Sequence, residues 1–168
     1  LNIKSFCYAG VSLGGAIGLM LALKYPSRVK VVLPICSAPK FGDPISQLDR
    51  AKLVREHGTE PLVENTRNRW FSMRFQERKP DLVEQVMQML RDVDRESYAL
   101  GCEALAKYDI TDRLSEIDVP VMVVAGELGE LLDHDGARRW LFQRLQHGVG
   151  GLVLVPAQPF GFEQDQHF

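Results

Sequence analysis

The chain has 168 residues, of which 45% are apolar and 25% charged, with a formal net charge of −2. That balance excludes a disordered chain, a basic nucleic-acid binder and a charged electrostatic tail, and the length suits one domain with an elaboration. The longest apolar run, residues 13–23, is too short to cross a bilayer.

In chain order, residues 4–8 (KSFCY) read as a short strand and residues 9–15 (AGVSLGG) as a glycine-rich turn. Residues 16–24 form a nearly all-apolar helix stopped before Pro26, a composition expected of a buried helix. Residues 29–35 are a continuous valine-rich run, consistent with a parallel strand covered on both faces. No strand pattern is found in residues 43–115. Leu48, Ala51 and Val54 share a helical face there, and Thr59 is placed to cap a helix with Pro61 in its first turn. Leu82, Val86 and Leu90 follow helical spacing beside Val83 and Met87, and Ser97 is placed to cap a helix carrying Tyr98, Cys102, Leu105 and Ala106. Alternation resumes with a strand over 119–125, a helix after Asp135 carrying Ala137, Trp140, Leu141 and Leu145, a C′ Gly148, and a strand over 152–155. Strands alternating with helices imply an α/β fold with a parallel, doubly covered sheet.

Cys7, Cys36 and Cys102 are odd in number and widely spaced, which argues against a disulfide framework or a structural zinc site. All three lie in apolar stretches and are expected to be buried, and a reducing, cytoplasmic compartment fits them. No signal peptide is recognised. Residue 1 is Leu, and residues 163–168 read as the opening of a helix, so the expectation is a piece cut at both ends from a longer protein.

Gly10-Val11-Ser12-Leu13-Gly14 is a G-x-S-x-G pattern between a predicted strand and a predicted helix. A reversal from strand to helix in so few residues forces the serine into a strained backbone, with its hydroxyl raised above the strand end. Its neighbours two positions away must then be small, and both are glycine. Ser12 is the candidate nucleophile, and the Leu13 N–H is the candidate oxyanion-hole donor. The same stretch lacks the lysine of a phosphate-binding loop and the spacing of a dinucleotide fingerprint. A glycine-rich turn that merely allows tight packing is the competing reading.

These residues resemble the α/β-hydrolase superfamily, and within it the 3-oxoadipate enol-lactonase family. The resemblance runs through GVSLGGAIGLMLALKYPSRV, RNRWFSMRF (67–75), SYALGCEALAKYDITDRLSEIDVPVMVVAGE (97–127) and FEQ (162–164). It implies a partial α/β-hydrolase fold, whose parallel strands match the fifth to eighth of an eight-stranded sheet flanked by helices. Residues 1–42 and 116–168 would be the incomplete core, and 43–115 a helical cap. The second oxyanion donor would lie in the part not covered.

The resemblance further implies an acid at Gly129 and a histidine at Gln158, or at Pro159 with a one-residue shift; none of these can play those parts. Glu127, Glu130 and Asp133 are substitute acids by proximity, against the reading of solvated loop carboxylates. His134 is the nearest substitute base, while His57, His147 and His167 read as surface residues. Arg67, Arg69 and Arg74 flank Trp70 and are either cap cations for a substrate carboxylate or a solvated helix face. Trp70 and Phe71 either line the pocket or pack the cap on the core, and packing is the expectation.

Two functions follow as expectations. One is a serine hydrolase opening a lactone or carboxylic ester in aromatic-compound catabolism. The other is a truncated, triad-deficient homologue that serves as a binding or scaffold domain or is a gene fragment. Neither implies a metal or organic cofactor, a nucleic-acid partner or a membrane. The partner would be a small-molecule lactone or ester. Exposure of the first strand as a sheet edge predicts self-association.

Overall fold

In a computed structural model of the chain, residues 2–126 and 150–155 are described. Four parallel strands, β1 (Phe6–Val11), β2 (Val29–Ile35), β3 (Val121–Gly126) and β4 (Gly150–Val155), form one sheet in the order β1-β2-β3-β4. Helix α1 (Leu13–Lys24) joins β1 to β2. Between β2 and β3 the chain is helical: α2 (Pro44–His57), a 3-10 turn (Glu60–Leu62), α3 (Val63–Trp70), α4 (Met73–Arg78), α5 (Pro80–Arg91), α6 (Arg95–Ala106) and a second 3-10 turn (Thr111–Glu116).

The elbow is tighter than the sequence suggests. β1 runs on to Val11 and α1 starts at Leu13, so Ser12 alone makes the turn expected over residues 9–15. The strand can continue because Ser12 N–H still donates to the Ile35 carbonyl at 2.8 Å, completing the parallel ladder. Pro120 lies just before β3, where its missing N–H costs no ladder bond, and its carbonyl accepts from Val32 N–H at 3.0 Å.

One face of the sheet is buried. Leu19 and Ala22 of α1 pack with Val29, Val32, Val121 and Val123, and Ile110, Leu114, Ile117 and Val119 close the same core from the segment leading into β3. Gly18 brings the helix close to the sheet, because a Cβ there would stand 2.7 Å from the Tyr8 ring and 2.9 Å from a Val32 methyl. The other face presents Cys7, Ala9 and Val11, with Met122 also exposed. Thus the described residues cover one face of β1–β3. The helix expected after Asp135, with Gly148 at its end, lies outside them.

β2 departs from the expected continuous burial. Its register shifts between Phe6 and Cys7, whose partners are Val29 and Val31, so Lys30 is the extra residue of a bulge. The bulge resets the two-residue alternation. Val29 and Val32, three apart, are both buried, while Lys30 is turned to solvent.

The helical insertion has its own packing. α2 lies against α6, where Ala51, Ala99 and Cys102 form a small buried cluster. Arg55 of α2 ties this pair from outside, donating to Glu96 at 2.8 Å and to Glu103. Val63, Val83, Met87 and Leu90 form a second cluster, with Phe71, Val86 and Tyr98 against it. Arg67 and Arg91 both donate to Glu84 at 2.7 Å, linking α3 to α5.

Several local expectations are corrected. Leu48 and Leu82 are exposed, so the buried stripes are Ala51–Val54 and Val83–Met87–Leu90. Thr59 does not cap through its side chain; its hydroxyl is buried and donates to the Leu90 carbonyl at 2.7 Å. Asp94, not Ser97, caps α6, its carboxylate accepting from Ser97 N–H at 2.8 Å. An acidic side chain three residues earlier satisfies a free helix N–H better than a serine already inside the first turn. Trp70 is 58% exposed, and Phe71 alone packs on the core of the insertion, stacked on Phe75 at 5.4 Å between ring centroids. Cys102 is buried as expected, but Cys36 is half-buried and Cys7 exposed, since Cys7 points to the open face of an edge strand.

Both ends of the insertion meet beside β2. Pro39 carbonyl accepts from Ile110 N–H at 3.0 Å, Lys40 and Asp109 pair as an antiparallel bridge, and their side chains form an ion pair at 2.8 Å. The Lys40 ammonium, helped by Thr111 N–H, holds the Asp109 carboxyl down at about 2.

Candidate active site

Ser12 lies at the C-terminal end of β1, on the side of a parallel sheet where open α/β folds place their ligands. Its backbone has φ 53° and ψ −114°. This is positive-φ space that a residue with a Cβ seldom enters, at a cost of about 1–3 kcal/mol. Such strain persists where the surroundings over-determine it. Here the Ser12 N–H is held by the Ile35 carbonyl, and the Ser12 carbonyl accepts both Ala16 N–H at 3.2 Å and the Ser37 hydroxyl at 2.8 Å.

The side chain is left out of this network. Ser12 occupies the N-cap of α1, yet its hydroxyl makes no capping bond. Asp43, Ser72 and Asp94 at the starts of α2, α4 and α6 do cap, through Ser46, Phe75 and Ser97 N–H respectively. The positive φ swings the Ser12 side chain away from the helix start, and the residue is exposed. The N–H of Leu13 is the first of α1 and has no carbonyl one turn back to bond. A hydroxyl free of capping thus stands beside an N–H at the positive end of a helix.

The glycines around Ser12 differ in their reasons. A Cβ on Gly10 would lie 2.4 Å from the Gly14 carbonyl carbon and 2.9 Å from Gly15 N, so β1 and α1 can cross there only if residue 10 has no side chain. A Cβ on Gly14 would meet nothing within 4 Å, which corrects the expectation that both flanking glycines are needed for room. Gly15, by contrast, leaves space for Ser37: a Cβ there would fall 2.6 Å from the Ser37 hydroxyl oxygen.

Cys36 and Ser37 are features that sequence reasoning missed. Cys36 is the other non-glycine residue with positive φ among the described residues, at 46°. Its N–H donates to the Val124 carbonyl at 2.8 Å, prolonging the ladder one residue past β2. The chain then turns and buries Ser37 behind the elbow. No glycine or asparagine marks Cys36 as a site of left-handed backbone, so only the Ser-Ala-Pro that follows hinted at a turn.

The insertion reaches the elbow through α6, where a Cβ on Gly101 would stand 4.0 Å from the end of the Leu13 side chain. Of the cations flanking Trp70, Arg67 is engaged by Glu84 and Glu64, and Arg74 is exposed on α4. Arg69 sits in the last turn of α3 and carries an interaction of its own. His57 ends α2 with an exposed side chain 3.8 Å from Glu56, as expected of a surface residue. Glu127, Gly129, Glu130, Asp133, His134, His147, Gln158, Pro159, the 162–164 stretch and His167 lie outside the described residues. The described residues hold no cluster of metal-ligating side chains. No helix among them is long and apolar enough to cross a membrane.

No family model matches the chain. Among curated proteins it is 38% identical over 126 residues to 3-oxoadipate enol-lactonase 2 of Acinetobacter baylyi, covering 75% of this chain and 47% of that protein. With 3-oxoadipate enol-lactonase 1 of the same organism it shares 33% identity over equal coverage. Among solved structures it superposes on the enol-lactonase from Burkholderia xenovorans LB400 with a TM-score of 0.77 and 27% identity, over 92% of this chain and 57% of that one. The chain therefore spans about half the length of the curated relatives it matches.

Proposed function

We propose, proceeding from the α/β-hydrolase fold of the chain, that it carries the nucleophile-bearing part of a serine hydrolase acting on a lactone or carboxylic ester. The observation that carries this reading is Ser12: strained, exposed and excused from capping its own helix. A serine that only terminates a turn would relax into ordinary β-space and cap α1, as Ser72 does for α4. Likeness to 3-oxoadipate enol-lactonases favours an enol-lactone as substrate and aromatic-compound catabolism as its setting. On that reading residues 43–115 serve as the cap over the site.

The chemistry follows from the positions. Ser12 Oγ bonds to the carbonyl carbon, and the carbonyl electron pair moves onto oxygen beside the Leu13 N–H. Collapse of this intermediate breaks the acyl–oxygen bond. In a lactone the leaving oxygen stays tethered to the acyl chain and takes up a proton. Water then hydrolyses the acyl-serine. The proton released by Ser12 needs a base, and loss of a triad histidine costs a serine hydrolase on the order of 10⁶ in turnover.

A second reading rests on residue identity: Gln158 and Gly129 stand where the family resemblance puts the histidine and the acid. On it the elbow is kept as scaffold in a binding domain. A fluorophosphonate ester separates the two, with intact mass as readout, Ser12→Ala as control and circular dichroism as the check of folding. Stoichiometric labelling that vanishes in Ser12→Ala is the expected result. A folded chain that stays unlabelled sinks the hydrolase reading and leaves the scaffold.

A further inference from the structure

We infer that Ser37 is a positioning residue for the oxyanion donor, acting through the Ser12–Leu13 peptide; its catalytic meaning rests on the hydrolase reading above. The Ser12 carbonyl and the Leu13 N–H belong to one peptide unit. The unit is planar and trans, so the two bonds point in opposite directions and turn together. Whatever fixes the carbonyl fixes the N–H. The Ser37 hydroxyl donates to that carbonyl at 2.8 Å from behind the elbow, on the side away from the site. The helix itself supplies only the longer Ala16 N–H contact at 3.2 Å.

Three further observations bear on how Ser37 is placed against the elbow. Ser37 is buried, at 8% exposure, so the donor side of the bond lies within the fold while Ser12, its acceptor, is exposed. Gly15 lies in the first turn of α1, where glycine is unfavourable, and any Cβ there would collide with Ser37. Cys36 adopts φ 46° immediately before Ser37, a strained turn that places the next residue against α1. Any side chain at position 37 would need the gap at Gly15, whose nearest neighbour is the Ser37 Cβ at 2.4 Å; what serine adds there is a donor aimed at the one carbonyl coupled to Leu13 N–H.

The dipeptide Ser-Leu occurs once in the chain, at 12–13. Protein carrying carbonyl-13C serine and 15N leucine therefore gives a single amide–carbonyl correlation in a triple-resonance spectrum. That signal reports both ends of the peptide in question, whether or not the chain is active. Ser37→Ala is expected to displace it in the carbonyl and the amide dimensions. Ser37→Cys, which keeps the volume with a weak donor, does the same, and Ser37→Thr, which keeps the hydroxyl, stays near wild type. A signal unmoved in folded Ser37→Ala and Ser37→Cys overturns the inference. In wild-type protein that takes the fluorophosphonate label, Ser37→Ala slows labelling by roughly 10- to 100-fold, the range in which small misplacements of catalytic groups act, and Ser37→Thr restores it. An unchanged labelling rate also overturns the inference. Failure of wild type to label counts against the hydrolase reading, and the correlation signal still decides the role of Ser37.

Discussion

Gly10 and Gly14 flank Ser12 symmetrically in sequence and stand in very different surroundings. Gly10→Ala drives a methyl into the backbone of α1, where nothing flexible can yield. A loss of about 1–3 kcal/mol or more is expected in urea unfolding, with displacement of the elbow. Gly14→Ala meets open space at the start of the helix and is expected to gain about 0.5–1 kcal/mol. Equal losses at both positions would contradict the crossing geometry described for the elbow. The motif was legible because its spacing and its strand–helix context are local. Which glycine does what was not, since this depends on where α1 lies over β1. Ser37 was hidden for the same reason, being 25 residues from its acceptor.

At the scale of elements, α5 shows how a stripe can be read one position off. Its apolar residues are so dense that Leu82–Val86–Leu90 and Val83–Met87–Leu90 both fit a helix. Burial selects the second, because α3 supplies Val63 on that side. Met87→Ala, at a fully buried position, is expected to cost about 2–5 kcal/mol in chemical denaturation, while Leu82→Ala changes little. The reverse order would place the helix on the wrong face. The strands and the longer helices were legible, since valine runs and proline stops are local signals, whereas the short α4 and the 3-10 turn over Thr111–Glu116 carried no such signal. The bulge at Lys30 was not, because pairing with β1 creates it.

For the whole molecule, two features set how the parts hold together. The first is the tie between Lys40 and Asp109. The Asp109 carboxyl is lowered to about 2 by the Lys40 ammonium, so the folded state binds this proton more weakly than the unfolded chain. The stabilisation is complete above the ordinary carboxylate range and is lost as pH falls toward 2. Thermal melts from pH 5 to 2 are expected to show a steeper fall in wild type than in Asp109→Asn, and added salt narrows the gap, because both side chains are about half exposed. The second is the outer side of β1, which pairs with no other strand among the described residues and carries the exposed Cys7, Ala9 and Val11; we propose that another strand can pair there. Sedimentation of the chain is expected to show concentration-dependent association that Ala9→Lys reduces without loss of helix signal. A single monomer species at all concentrations would refute it.

The bridge between Lys40 and Asp109 has a consequence for engineering. It brings the two ends of a long helical stretch together, as a clasp closes a necklace. Because closing a flexible loop costs entropy that grows only logarithmically with its length, extra residues placed in the loops of the clasped stretch are expected to leave β1, Ser12 and β2 where they are.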